Sequence, residues 1–378
     1  MIAPYNISPG IGVGIFQIGD TLWHILDLLR THKNDYPKFD VSWDAQRPHT
    51  SAVVIHLAQL TLYFPAPSQL LTLISFPSLL LPNLTLIYET QVLASPDQPL
   101  TRARVARILG PTFANEGRDL VYPGVKFEMA SSSGGSRDDV VEKLDIQVKE
   151  GEEVTLAGQL TSCIIQPGKG VTLSLAGDPE PLEIIIGSTT AQDLLLDLGS
   201  PLRKFWKEDD RLERMWGRED EVGACFWNYF QYGLDFLIST DNFVSKILCY
   251  SNIPGTPMFQ QYARCPWVLS TTSGALNLAS PSTSFGAASD SDPSQYIDSK
   301  EKQEKYQKRG ISKKVAGEAI TKDSGKVPMM VLDRAVEGGL EGVQNVGESR
   351  LIGHKGFIIE EDQVSGGICS VLVWKDTT

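Results

Sequence analysis

The 378-residue chain carries 46 acidic against 34 basic side chains, a formal net charge of -12, with 42% apolar and 21% charged residues. That length suits two or three globular units with a packed core. The acidic balance argues against a whole-protein nucleic-acid binder, because neutralising a phosphate backbone needs a positive face.

Residues 12–16 predict a short strand and residues 19–30 a helix, with Leu22, Ile25, Leu26 and Leu29 at 3.6-residue spacing and Asp20 or Thr21 as cap. Four strand candidates follow at 39–43, 52–57, 60–64 and 70–74. Pro65, Pro67, Pro77 and Pro82 break the most apolar stretch, 51–87, so it reads as buried strands rather than a bilayer span of about 20 residues. A second helix is predicted at 101–109, ended by Gly110-Pro-Thr112, with strands at 119–122 and 124–129. Residues 138–186 are rich in strands and turns.

A third helix opens at Gly187, with Ser188, Thr189 or Thr190 as cap and Leu194, Leu195 and Leu198 as its apolar stripe. Strands at 226–230, 234–238 and 243–250 follow it. A weaker fourth copy has a helix near 331–336 and strands at 350–353, 356–360 and 367–373. Gly124, Gly233 and Gly356 each precede a middle strand, where a residue that tolerates positive φ is useful.

The expected class is therefore α+β: repeated helix plus antiparallel β-meander units with a central β-rich module. The units are placed at 10–95, 100–137 and 187–269, with the β-rich bridging module at 138–186. A disordered insertion is expected at 270–326 and a degraded C-terminal unit at 327–378.

The search for chemistry finds no P-loop, nucleophile elbow or H-E-x-x-H motif, and Gly10-Ile-Gly-Val-Gly14 precedes a strand rather than linking strand to helix. Five cysteines, Cys163, Cys225, Cys249, Cys265 and Cys369, are odd in number, widely spaced and without a C-x-x-C pair or neighbouring histidines. They read as reduced, mostly buried thiols of a cytosolic protein, and no metal or cofactor is predicted. The first ten residues show neither a basic nor an apolar segment of a signal peptide. The acidic run 208–210 is interleaved with Lys207 and Arg211 and reads as a solvated loop. Lys300, Lys305, Lys308, Arg309, Lys313 and Lys314 form a basic run that an anionic membrane surface would attract. Glu301 and Glu304 dilute it, so a solvated tether is the plainer reading. Trp206 and Trp216, aromatic residues in a charged segment, are candidates for a partner surface or a buried anchor.

Taken together, Thr189-Thr-Ala-Gln-Asp193, Leu198-Gly-Ser-Pro201, Asn228-Tyr-Phe230, Gly233-Leu-Asp235, Ser251-Asn-Ile-Pro-Gly255 and Tyr262-Ala-Arg-Cys265 resemble the phagosome assembly factor 1 family. Gly110-Pro-Thr112 and Tyr122-Pro-Gly-Val-Lys-Phe127 fit it as well. The resemblance implies a soluble, non-enzymatic autophagy factor, cytoplasmic and recruited to the phagophore assembly site. It implies a WD40-propeller partner of the breast carcinoma amplified sequence 3 type and phosphoinositide membranes engaged through that complex. It carries Asn228, Asn252, Gly255, Tyr262 and Arg264 as matching positions, which join Trp206 and Trp216 as candidate partner-binding residues. The long 270–326 segment departs from the animal pattern. The competing expectation is a small-molecule or lipid-binding enzyme with a cleft between repeats.

Overall fold

The computed structural model describes residues 4–112, 119–130, 135–149, 151–152, 155–206, 224–270, 329–333 and 348–375. Strand accounts for 43% and helix for 11% of these, with three α-helices and four sheets. The chain forms two compact units, residues 1–44 with 51–157, and residues 45–50 with 158–378.

Unit 1 begins with β1 (Tyr5–Ser8), β2 (Gly12–Val13) and β3 (Phe16–Gln17), then α1 (Leu22–Thr31). The meander β4 (Asp40–Ser42), β5 (Val53–His56), β6 (Thr61–Phe64) and β7 (Leu73–Phe76) follows, then β8 (Leu86–Tyr88) and β9 (Gln91–Ala94). After α2 (Arg102–Leu109) come β10 (Leu120–Tyr122), β11 (Val125–Met129) and β12 (Val141–Gln147). A small sheet has the order β3-β2-β1-β8-β9, and a large sheet the order β10-β11-β12-β7-β6-β5-β4. β1 and β8 are parallel, with Tyr5 beside Leu86.

Unit 2 runs β13 (Leu160–Gln166), β14 (Gly170–Leu175), β15 (Leu182–Ile185), α3 (Ala191–Asp197), β16 (Arg203–Trp206), β17 (Cys225–Tyr229), β18 (Leu234–Ile238), β19 (Val244–Tyr250) and β20 (Trp267–Leu269). It closes with β21 (Met329–Asp333), β22 (Glu348–His354), β23 (Phe357–Asp362) and β24 (Ile368–Trp374). Its sheets are β15-β14-β13-β20 and β16-β17-β18-β19-β24-β23-β22-β21. The inner faces of both sheets share one core with Ala191 and Leu194 of α3.

The two units follow one plan: a hairpin-bearing first strand, a helix, a four-strand meander, and a strand that returns parallel to the first. Cys163 on β13 lies beside Trp267 on β20 as Tyr5 lies beside Leu86. Each helix is anchored by the same backbone device. Thr21 bridges Leu70, and Thr190 bridges Phe243. Gln69 and Asn242, which precede those bridge partners, both take positive φ, 51° and 63°.

These findings overturn the expected α+β class. Helices are short, α2 buries Val105 alone, and strand alternation such as Val125–Met129 carries the burial. What recurs is larger than a helix with its meander, since each unit builds two sheets. Nor do the strands of 138–186 form a central module: β12 joins the large sheet of unit 1, while β13, β14 and β15 belong to the small sheet of unit 2. The expected helix near 331–336 begins instead as β21, paired antiparallel with β22. A short apolar run does not distinguish helix from strand by periodicity, and here the pairing partner decided.

Candidate functional site

The inner face of unit 2's large sheet presents Trp227, Tyr229, Leu234, Phe236 and Cys249 to the core. Strand alternation then places Asn228, Asp235 and Tyr250 on the opposite face. Asn228 and Asp235 stand directly opposite one another across β17 and β18. Each is buried, as is Tyr250.

Residues 251–266 return over this end of the sheet, tied by Ala263 N–H to the Phe230 carbonyl at 2.8 Å and Cys265 N–H to the Tyr250 carbonyl at 2.9 Å. Asn252 starts the excursion in a left-handed conformation, φ 47°, and its Oδ1 accepts from the Gln260 amide at 3.0 Å. Gly255 supplies the next positive φ, 84°, beside a turn in which Thr256 Oγ1 donates to the Ile253 carbonyl. Gly233 gives the segment room, because a Cβ there would lie 2.3 Å from the Ala263 carbonyl oxygen.

The segment brings Tyr262 onto the carboxylate. Tyr262 Oη donates to Asp235 Oδ2 at 2.7 Å, and Tyr250 Oη donates to the same oxygen at 3.0 Å. Asn228 Nδ2 donates to Tyr262 Oη at 3.3 Å, and the two tyrosine rings stack at 3.9 Å. Alongside, Arg264 Nε donates to the Ser251 carbonyl at 2.8 Å and Trp267 Nε1 to Ser251 Oγ at 3.0 Å. Burial pushes the Asp235 carboxyl up to about 6 despite these donors. Burial, reinforced by the Asp235 charge, raises both tyrosines, and burial draws Arg264 down to about 10. Both tyrosine hydroxyls point at one carboxylate oxygen and the amide at a hydroxyl, while the other oxygen, Asp235 Oδ1, is buried without a hydrogen-bond partner among the described residues. The cluster's hydrogen bonds pin the 251–266 segment to the sheet.

The profile of the family described as phagosome assembly factor 1 matches residues 12–152 and 140–374, which together take in both units. The chain belongs to the phagosome assembly factor 1 family. A PHAF1 protein of Arabidopsis thaliana is 23% identical over 334 residues, covering 74% of this chain and 80% of the relative. No solved structure matches.

In this phagosome assembly factor 1 member, four of the residues singled out from sequence, Asn228, Asn252, Tyr262 and Arg264, are buried in and around the Asp235 cluster. Gly255 lies in the same segment's turn. Trp206 ends β16, half-buried against the core of unit 2 and in register with Cys225. Trp216, Lys300, Lys305, Lys308, Arg309, Lys313 and Lys314 lie outside the described residues. Sequence reasoning missed Asp235 and Tyr250. The available signal was a lone carboxylate inside the apolar strand Leu234-Asp-Phe-Leu-Ile238, which when buried needs hydrogen-bond donors. Among the described residues no helix is long and apolar enough to cross a membrane.

Proposed function

We propose that this chain is a non-enzymatic interaction subunit in autophagosome assembly, joined to a WD40-propeller partner of the breast carcinoma amplified sequence 3 type. In this reading it is cytoplasmic and reaches the phagophore assembly site as part of that complex, on phosphoinositide-containing membranes. Family membership supports the assembly role.

The observation that carries the partner is the surface around α3. Leu195, Leu196 and Leu202 are 40%, 76% and 55% exposed, and Phe243, whose backbone bridges Thr190 at the head of the helix, is 38% exposed. Large apolar side chains gathered on one exposed element mark an association surface. The residues of the Asp235 cluster contribute by fixing the 251–266 segment of unit 2, and Lys300 to Lys314 supply charge toward anionic lipid.

The test is co-purification of the full chain with the propeller partner, followed by flotation with phosphoinositide vesicles. Leu196→Asp and Leu202→Asp together are expected to abolish co-purification while leaving the circular dichroism spectrum unchanged. Undiminished capture by that variant would remove the α3 surface from the proposal. Vesicle binding that occurs without the partner would make the chain a lipid reader in its own right, and reversing the charges of Lys300 to Lys314 would then be expected to abolish it.

A further inference from the structure

Three thiols from separate segments meet in the core of unit 2: Cys163 on β13, Cys249 on β19 and Cys265 in the lead-in to β20. All three are fully buried. Their sulfurs lie within 4.8 Å of one another, and Cys163 Sγ and Cys249 Sγ are 4.0 Å apart. We propose that Cys163, Cys249 and Cys265 form a three-thiolate site for a thiophilic d10 metal ion, Cu(I) or Zn(II).

The first argument is geometric. Metal–thiolate bonds of about 2.3 Å place three sulfurs around a trigonal ion about 4.0 Å apart, so the group needs only a small contraction.

The second argument comes from unit 1, where the equivalent positions show what this fold needs for packing alone. Tyr5 takes the place of Cys163, since both pair with the returning parallel strand and donate their N–H to its lead-in, to Thr85 at 2.9 Å and to Pro266 at 3.1 Å. Counting from the same registers, Phe76 takes the place of Cys249 and Leu84 that of Cys265. The fold thus accepts bulky apolar side chains at all three positions, and Tyr5 and Phe76 pack edge to face there at 5.6 Å. Unit 2 places soft ligand atoms at all three instead, the donor type that selects Cu(I) and Zn(II) over harder ions.

On binding, three S–H bonds give way to three S–metal bonds and three protons leave. The product is anionic, and Arg264, buried and next to Cys265 in the chain, brings positive charge to the same segment. Cys225 and Cys369 stand outside the group, their thiols directed at the Phe226 and Gly367 carbonyls, and serve as internal controls.

The experiment uses the full chain, reduced and stripped of metal without oxygen, titrated with Cu(I) against bathocuproine disulfonate and separately with Zn(II) against a chromophoric chelator. One equivalent of one of these ions is expected. X-ray absorption of the loaded, unmutated chain is expected to show three sulfur neighbours at about 2.3 Å, with one added light atom in the case of Zn(II). Cys249→Ala or Cys265→Ala is expected to abolish uptake, and Cys225→Ala with Cys369→Ala to leave it unchanged. Because losing a core thiol also opens a cavity, the absorption spectrum of the unmutated chain decides. No stoichiometric uptake, or a first shell made mainly of nitrogen and oxygen, would overturn the proposal.

Discussion

Where the meander of unit 1 turns its second face outward, His56, Thr61 and Ser75 lead into a ladder of charge. Ser75 donates to Asp145, Lys143 Nζ meets Asp145 at 2.8 Å and Glu128 at 3.4 Å, and Lys126 meets Glu128 at 3.0 Å and Asp119 at 3.1 Å. At the equivalent end of unit 2 stand Asn228, Asp235 and Tyr250, buried beneath the 251–266 segment. One strand plan therefore carries, in one unit, an ion-pair row whose lysines stay about one-third exposed and, in the other, a buried carboxylate held by tyrosine hydroxyls. The ladder's lysines are about one-third exposed, so each pair adds at most about 1 kcal/mol. Dehydration makes the Asp235 group the more consequential of the two. What both units keep unchanged is backbone geometry at their tightest corner. Gly10 N–H meets the Gly124 carbonyl at 3.0 Å, and Gly168 N–H meets the Gly356 carbonyl at 3.3 Å.

The largest effect is expected at those shared corners. A Cβ on Gly124 or on Gly356 would lie 2.3 Å from the backbone nitrogen of Gly10 or Gly168, and both residues have φ near 80°. Gly124→Ala and Gly356→Ala should each cost about 3 kcal/mol or more in urea unfolding, from overpacking plus a left-handed alanine. Gly199→Ala, at φ 76° with open space around it, should cost only about 1–2 kcal/mol. Equal losses at Gly124 and Gly199 would break the claim that close backbone approach conserves the plan.

The next prediction separates the two polar faces by pH. Asp235 has its folded value raised to about 6 from an ordinary 3.8, so the folded chain binds more protons than the unfolded chain between these values. Its contribution to stability therefore declines as pH rises through that window, by about 3 kcal/mol in all. Asp235→Asn should flatten this part of the stability profile from pH 4 to 6. Glu128 has the opposite sign, because its hydrogen bond to Lys126 lowers its value, so its small stabilisation is lost on acidification. A profile unaltered by Asp235→Asn would show that the carboxylate is hydrated in the folded state.

Smaller still is the loss of single donors. Tyr262→Phe should cost about 1–3 kcal/mol by leaving Asp235 with the Tyr250 hydroxyl alone, and the cost should shrink in the Asp235→Asn background. Additive losses in that double-mutant cycle would mean that Tyr262 acts through packing on Phe230 and Tyr250, not through its hydrogen bond.

The smallest effects compare helix caps. Thr190 Oγ1 accepts from the Asp193 amide at 3.2 Å and Asp193 Oδ2 accepts from the Thr190 amide at 2.8 Å, so Thr190→Ala should cost about 1 kcal/mol. Thr101 makes no side-chain cap bond, and Thr101→Ala should change the melting temperature less than Thr190→Ala does.

Several features were legible because their signals are local. The apolar stripe Leu22, Ile25, Leu26, Leu29 and the threonine before it are one helix's own business, and α1 buries these four leucine and isoleucine residues beneath the Thr21 cap. The Tyr262 and Arg264 positions were found through family resemblance; Asp235 stood in one of the resembling motifs but was not singled out, since nothing within three or four residues of it reveals the two tyrosines that reach it. The class was misjudged for a related reason. Helix signals are strong per residue, while a dozen short strands in each unit show their weight only once paired.

By itself the sequence located the three helices, with cap candidates for α1 and α3 that include the observed Thr21 and Thr190, the glycines that turn the corners, and the family to which the chain belongs. Each of these depends on neighbours a few residues away or on motifs read in line. The tertiary structure alone decided that β12 pairs with β7 and not with β13, that β20 returns beside β13, and that Cys163, Cys249 and Cys265 share one point in the core. Strand partnership is settled by long-range register and by which sheet face is covered, and local alternation is compatible with many such pairings.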